Sequence, residues 1–451
     1  VLRTTIADTT ATTNFSQAGQ NGERSTTIAS DAILLPTPFW APFEALAQRL
    51  RLAEPGSSLQ AYAGGMAFPV TVGASLDEII QTPSETIRAR RTSVTLDAPG
   101  APFELTLWAD ENGRLLRLSI PAQSLEIARE DIASVATRRV TVSRSNDEQV
   151  RVPANGFSLA GTLSKPEGVT GRQLPAVILV AGSGSQDRDE TAFGVPIFGQ
   201  LAGRLADAGF VVLRYDKRGV GQSGGRIESA TLADYMEDLR AAVRFLSDRK
   251  DVNRRQIAVV GYSDGGAIAL LAASRENRIA AVGLLSSIGV TGAELNMAQV
   301  THAMSRSKRP DAERQATIAM QKRIQTAVLT GKGWEEVPPA LRRQADIPWF
   351  KSYLTFDPAR VMSDVRQPIL IVHGLLDTQV QPSNADALEK LAGMRKRGTV
   401  DVVRLPGINH LLVPAVTGEF DEYATLMDKN VSDAVSTAIT DWLKKTFAVL
   451  K

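Results

Sequence analysis

The stretch Gly261-Tyr262-Ser263-Asp264-Gly265-Gly266 places a serine between glycines in GxSxG spacing. A serine hydroxyl attacks a carbonyl only when a base takes its proton, and that base needs an acid to hold its tautomer and support its cation. The chain has 3 histidines, His302, His373 and His410. His410, in Gly407-Ile408-Asn409-His410-Leu411, follows an apolar run in a loop context and reads as the base. His373 closes an apolar run just before Gly374, a setting that is more often structural, and His302 lies in a charged helical region. For the acid, Asp377 in His373-Gly374-Leu375-Leu376-Asp377 comes directly after an apolar run, whereas its competitor Asp386 falls inside the next helical pattern, on a solvated face. The expected catalytic set is Ser263, Asp377 and His410, and its chemistry is acyl transfer through a covalent acyl-serine.

Such chemistry builds charge on a carbonyl oxygen, which backbone N–H groups must meet. One donor is expected from Asp264, the residue after the serine, beside a helix N-terminus that favours negative charge. The second is assigned to the Ser183 amide in Ala181-Gly182-Ser183-Gly184-Ser185, where glycines let the backbone approach a ligand closely. No GxxxxGKT pattern accompanies this loop to suggest a nucleotide. Tyr262 and Trp349 are assigned to substrate; Trp334, Phe350 and Tyr353 are expected to serve packing. The acidic run Asp187, Arg188, Asp189, Glu190 reads as an ion-pair network with Arg218, the alternative being capture of a cationic substrate.

Several classes of function are excluded. With 0 cysteines there is no thiol nucleophile and no thiolate zinc site. The three histidines are dispersed without HExxH spacing, so no metal and no cofactor are expected. Lys+Arg number 51 against 49 Asp+Glu, a net +2, which argues against a nucleic-acid partner. No apolar run approaches the ~20 residues of a membrane span. A small-molecule ester is the expected partner, and the oligomeric state stays open. The chain opens at Val1 without an initiator Met, and a periplasmic or secreted location is expected over a cytoplasmic one.

These residues must be positioned by elements, and the sequence shows them. Short Val/Ile/Leu-rich runs at 176–181, 210–215, 257–261, 279–286, 369–373 and 400–405 read as buried strands. Helical patterns at 232–246, 267–275 and 385–391 separate most of them, and the segments 140–145, 149–152 and 157–163 precede them as antiparallel strands. This is an α/β architecture with a mostly parallel sheet, in which Ser263 falls at a strand-to-helix turn. Between 287 and 364 the alternation gives way to charged helical segments, an inserted helical cap. Residues 1–30, rich in Thr, Ser, Ala and Asn, read as a flexible lead-in or a surface-hugging extended segment; 39–52 reads as a helix. The runs 103–109 and 114–120 around Asp110-Glu111-Asn112-Gly113 read as a hairpin turning on Asn-Gly. The expected division is an N-terminal α+β accessory domain over 1–135, the core over 136–286 and 365–451, and the cap over 287–364.

Together, Gly182-Ser183-Gly184 with Gln186 to Glu190, Tyr215-Asp216-Lys217-Arg218-Gly219-Val220-Gly221-Gln222-Ser223, Gly261 to Gly266, His373 to Asp377 and Asn409-His410 resemble bacterial α/β-hydrolases. The nearest group comprises the esterases related to serine and prolyl aminopeptidases, over roughly residues 140 to 451. The order Ser, Asp, His is that of α/β-hydrolases and not of chymotrypsin-like or subtilisin-like enzymes. One departure is Ala181, where the family commonly carries His. The resemblance implies a capped serine esterase; an aminopeptidase, amidase or thioesterase on the same residues is the alternative within enzymes, and a binding protein without turnover the alternative outside them.

Overall fold

The computed structural model describes residues 2–17, 20–35, 41–63, 65–81, 86–97, 102–120, 125–129, 144–169 and 171–449. The chain divides into two compact units, Val1–Thr137 and Arg138–Lys451.

The first unit is rich in strands. A seven-stranded sheet runs Leu125–Ala128, Leu115–Ile120, Phe103–Asp110, Thr86–Leu96, Met66–Gln81, Ser58–Ala63, Ile33–Leu34 in spatial order. The helix Phe43–Leu50 lays Phe43, Leu46 and Leu50 on its apolar face against Val70, Val94, Leu105 and Leu107. The hairpin forms, but its loop differs from a two-residue Asn-Gly turn: the Gly113 amide donates to Asp110 O at 2.9 Å and only Gly113 takes positive φ, +77°. The Asp110 carboxylate accepts from the Asn112 and Arg114 amides, which favours this longer loop. The described residues between 2 and 27 are extended strands rather than a flexible lead-in. Leu2–Ala7, Thr10–Gln17 and Gln20–Thr27 pair as a three-stranded antiparallel sheet. Its strands are held by the backbone ladder and by hydroxyl pairs such as Thr4 with Thr13 at 2.7 Å, so an apolar period was the wrong sign to seek.

The second unit is built on an eight-stranded sheet. Its strands in chain order are β1 Glu148–Pro153, β2 Ser158–Ser164, β3 Leu174–Val180, β4 Val211–Tyr215, β5 Val252–Tyr262, β6 Ile279–Leu285, β7 Ile369–Gly374 and β8 Val400–Leu405. The spatial order is β1-β2-β4-β3-β5-β6-β7-β8, antiparallel at β1-β2 and β2-β4 and parallel elsewhere. Of the three antiparallel segments expected at its start, two form β1 and β2; most of 140–145 lies outside the described residues.

Continuous apolar runs are what a sheet covered on both faces requires. Along β3, Ala176, Ile178 and Val180 enter one core, whereas Val177 and Leu179 enter the other. Residues of the helices Leu232–Ser247, Asp264–Ala273 and Ser383–Gly393 fill the first core, and those of Ile197–Asp207 and Asp433–Val449 the second. Between β6 and β7 the chain forms a run of helices from Gly292–Arg306 to Pro358–Met362. This insertion is tied to the sheet layer where the Leu232 amide donates to Ser352 Oγ at 3.0 Å.

Candidate active site

Ser263 sits between β5 and the helix Asp264–Ala273, with φ +53° and ψ −123°, a conformation that is costly for a side-chain-bearing residue. The bend exists because its neighbours lack Cβ atoms. A methyl on Gly261 would lie 2.2 Å from Gly265 O, and one on Gly265 would lie 2.1 Å from Val180 O. The Ser263 amide donates to Leu285 O at the end of β6, which pins the turn.

Asp377 and His410 come from the loops after β7 and β8, and the structure brings them together. His410 Nδ1 lies 2.7 Å from Asp377 Oδ2, both side chains almost wholly buried. A carboxylate only accepts, so Nδ1 carries the hydrogen and Nε2 is left as the basic nitrogen. The second oxygen, Asp377 Oδ1, accepts from the Gln379 and Val380 amides at 3.0 and 2.8 Å, which fixes the carboxylate plane. Tyr262, expected at the substrate, is instead buried; its hydroxyl donates to His410 O at 2.9 Å and its ring stands 5.2 Å from the imidazole. It positions the histidine loop from the residue next to the serine.

Of the competing residues, His373 also stands near the acid, its Nε2 3.6 Å from Asp377 Oδ2, while Asp386 and His302 are paired elsewhere. His373 is fully buried with Nε2 2.7 Å from Val380 O, and burial holds its pKa below the ordinary histidine value. Asp386 pairs with Arg404 at 2.6 Å on an exposed face. His302, on the inserted helix Gly292–Arg306, pairs with Glu419 at 2.9 Å, beyond the His410 loop.

The loop after β3 carries the other expected donor. Gly182 lies against the serine, since a Cβ there would be 3.3 Å from Ser263 Cβ. Its amide donates to Glu190 Oε2 at 3.1 Å, which leaves Ser183 as the next amide along the loop. The Ser183 side chain favours the ionised form of the Asp264 carboxyl. Burial pushes Asp264 up to about 6 against the pull of Lys217 and His410, and pushes Glu190 up to about 8 against the pull of Lys217. Lys217 is buried too; its amine donates to Gly182 O at 2.8 Å and sits 4.3 Å over the Tyr235 ring. Neither Glu190 nor Lys217 was assigned a place at the serine from sequence, although a lysine two residues after a buried strand was a signal to follow.

The charged run is a network, with different partners from those expected. Arg188 makes a two-pronged contact with Asp216 at 2.9 and 2.7 Å, and Asp189 meets Arg214 at 2.7 Å. Arg218 turns away to Asp234 and Asp238 on the helix Leu232–Ser247. Asp187 accepts from the backbone of Asp189 and Thr191. In the insertion, Trp349, Phe350 and Tyr353 stack, with Trp349 and Tyr353 centroids 5.3 Å apart. Tyr353 is the member that senses the site: burial, and then the Asp264 charge, raise its hydroxyl above the ordinary tyrosine value. Trp349, the residue assigned to substrate, is half-buried in this stack. Among the described residues no group of three or more His, Cys, Asp or Glu is disposed to hold a metal ion.

A mostly parallel sheet with a serine at the β5 bend, an acid after β7 and a histidine after β8 is the frame of an α/β-hydrolase, and the chain has that fold. The family described as serine aminopeptidase, S33, matches residues 195–413. Esterase EstD of Thermotoga maritima is 27% identical over 303 residues, covering 66% of this chain and 68% of its own length. Uncharacterized protein PA2218 of Pseudomonas aeruginosa is 34% identical over 128 residues, 28% of this chain and 33% of that protein. Among solved structures, Est1E from Butyrivibrio proteoclasticus is similar at 18% identity, over 66% of this chain and 99% of its own, with a TM-score of 0.41.

Proposed function

We propose that the protein is a serine hydrolase that cleaves carboxylic esters through an acyl-enzyme on Ser263. The observation that carries the reading is the 2.7 Å contact of His410 Nδ1 with Asp377, which leaves Nε2 as a base in the loop packed beside Tyr262, next to the serine. In the first half-reaction His410 takes the Ser263 proton, the alkoxide attacks the ester carbonyl, and the Ser183 and Asp264 amides hold the oxyanion. His410 then gives the proton to the departing alcohol. Water, deprotonated by His410, releases the acid in the second half.

Support for esters comes from the relative EstD, named an esterase. The aminopeptidase reading needs an acidic group free to hold an ammonium. Asp187, Asp189 and Glu190 are engaged with the backbone, Arg214 and Gly182 respectively.

The test is hydrolysis of p-nitrophenyl esters from acetate to long acyl chains, beside aminoacyl p-nitroanilides. Ester turnover is expected to fall by on the order of a million-fold in Ser263→Ala. Turnover surviving that substitution would remove the mechanism, and turnover of anilides alone would move the protein to the aminopeptidases.

A further inference from the structure

We infer that Lys217 and Glu190 are positioning residues that clamp two successive peptide groups of the loop after β3 and so aim the Ser183 amide at the carbonyl under attack. The inference rests on the reading of Ser263 as nucleophile.

A trans peptide group is planar, and its C=O and N–H point in opposite directions. The Gly182 carbonyl and the Ser183 amide belong to one such group. Lys217 Nζ holds that carbonyl at 2.8 Å, so the amide on the far edge of the plane faces away from Lys217. The preceding group is fixed from its other end, where the Gly182 N–H donates to Glu190 Oε2 at 3.1 Å. β3 ends at Val180, so no strand ladder orients these planes; two side chains do it instead. The clamped segment is the one that touches the nucleophile, 3.3 Å between the position of a Gly182 Cβ and Ser263 Cβ.

The choice of residues argues for a role beyond packing. Lys217 is 4% exposed and Glu190 2%, and burying polar groups of this kind is costly unless their hydrogen bonds are used. Glu190 also holds an uncommon backbone, φ +48°, that places its carboxyl under the loop. Lys217 is held in register by the residue before it, since Asp216 is locked by Arg188. Burial lowers the Lys217 pKa from its ordinary value while Glu190 and Asp264 oppose that, and the amine donates to Gly182 O in either protonation state.

The experiment uses the full chain with p-nitrophenyl butyrate as substrate and an alkyl trifluoromethyl ketone as a mimic of the tetrahedral oxyanion. Wild type and Ser263→Ala are measured first. If wild-type turnover does not depend on Ser263, the functional reading itself has failed and the clamp is not at issue. Given dependence, Lys217→Met is expected to lower kcat by about 100-fold, the scale of a lost oxyanion donor. Affinity for the ketone should fall in parallel while KM stays near wild type. A folded Lys217→Met with kcat and ketone affinity unchanged would overturn the inference, as would a rise in KM with kcat intact. Glu190 gives a second arm in case Lys217→Met does not fold. Glu190→Gln, which still accepts from Gly182, should keep kcat, whereas Glu190→Met should lose it; equal rates in the two would also overturn the clamp.

Discussion

Asp264 combines two demands that conflict. Its amide is the proposed oxyanion donor, while its carboxyl is buried beside that amide, where an ionised form is costly. Burial raises the folded-state value to about 6, against the unfolded value of about 4. A raised carboxyl binds its proton more tightly in the folded protein, so its contribution to stability is complete below about pH 4 and is lost as pH rises through about 6. The full span is about 3 kcal/mol, at about 1.4 kcal/mol per unit of pKa difference. Asp264→Asn keeps the size and shape of the side chain and removes the titration. Urea unfolding at pH 4 and pH 7 is therefore expected to show the variant gaining on the wild type as pH rises. A difference between the two proteins that does not change with pH would mean that the carboxyl is not desolvated as the structure implies.

The bend between β5 and the helix Asp264–Ala273 is where an element, more than any one side chain, sets the chemistry. A Cβ on Gly265 would meet Val180 O at 2.1 Å and Ala181 O at 2.8 Å, backbone atoms leading straight into Gly182 and Ser183. Gly265→Ala is therefore expected to cost about 1–3 kcal/mol in urea unfolding, as overpacking does. It should lower kcat further than that loss of stability explains, because both proposed donors shift together; full kcat in a destabilised variant would show the two elements to be uncoupled. This junction was legible in the sequence, since buried parallel strands announce themselves as unbroken apolar runs and the glycines mark the turn. The loops carrying Asp377 and His410 followed from the same runs. Less was legible where the determinant was pairing between distant loops. The partners of Arg188 and Arg218 were interchangeable on paper, and only the packing of β4 against its neighbours decides that Asp216 takes the first and Asp238 the second. Glu190 and Lys217 reach Gly182, on the loop after β3, across 8 and 35 positions, which no local pattern reveals. The Thr-rich strands of residues 2–27 escaped because hydroxyl pairs and ladder bonds hold them, with burial confined to a few positions such as Ala11 and Thr13.

Each unit of the chain owns its interior. The first unit closes Phe43, Leu46, Val70, Val94 and Leu107 into one core, with every member drawn from the residues before Thr137. Among the described residues, the two cores flanking the eight-stranded sheet draw on residues after Arg138, from Val150 to Phe447. All of Ser263, Asp377, His410, Ser183, Asp264, Lys217 and Glu190 lie in this second unit, as do the partners that hold them. A unit with its own closed core and over 300 residues of chain has the means to fold alone, since the fraction of surface buried on folding rises with size. The expected outcome is that a chain of residues 138–451 unfolds cooperatively in urea and labels at Ser263 with a fluorophosphonate. It should also hydrolyse p-nitrophenyl butyrate with a kcat within about threefold of the full chain, a difference below about 1 kcal/mol in barrier. A fragment that melts cooperatively yet loses turnover would give the first unit a direct part in the reaction. A fragment that fails to fold would show that these cores, though separate in composition, are not separate in stability.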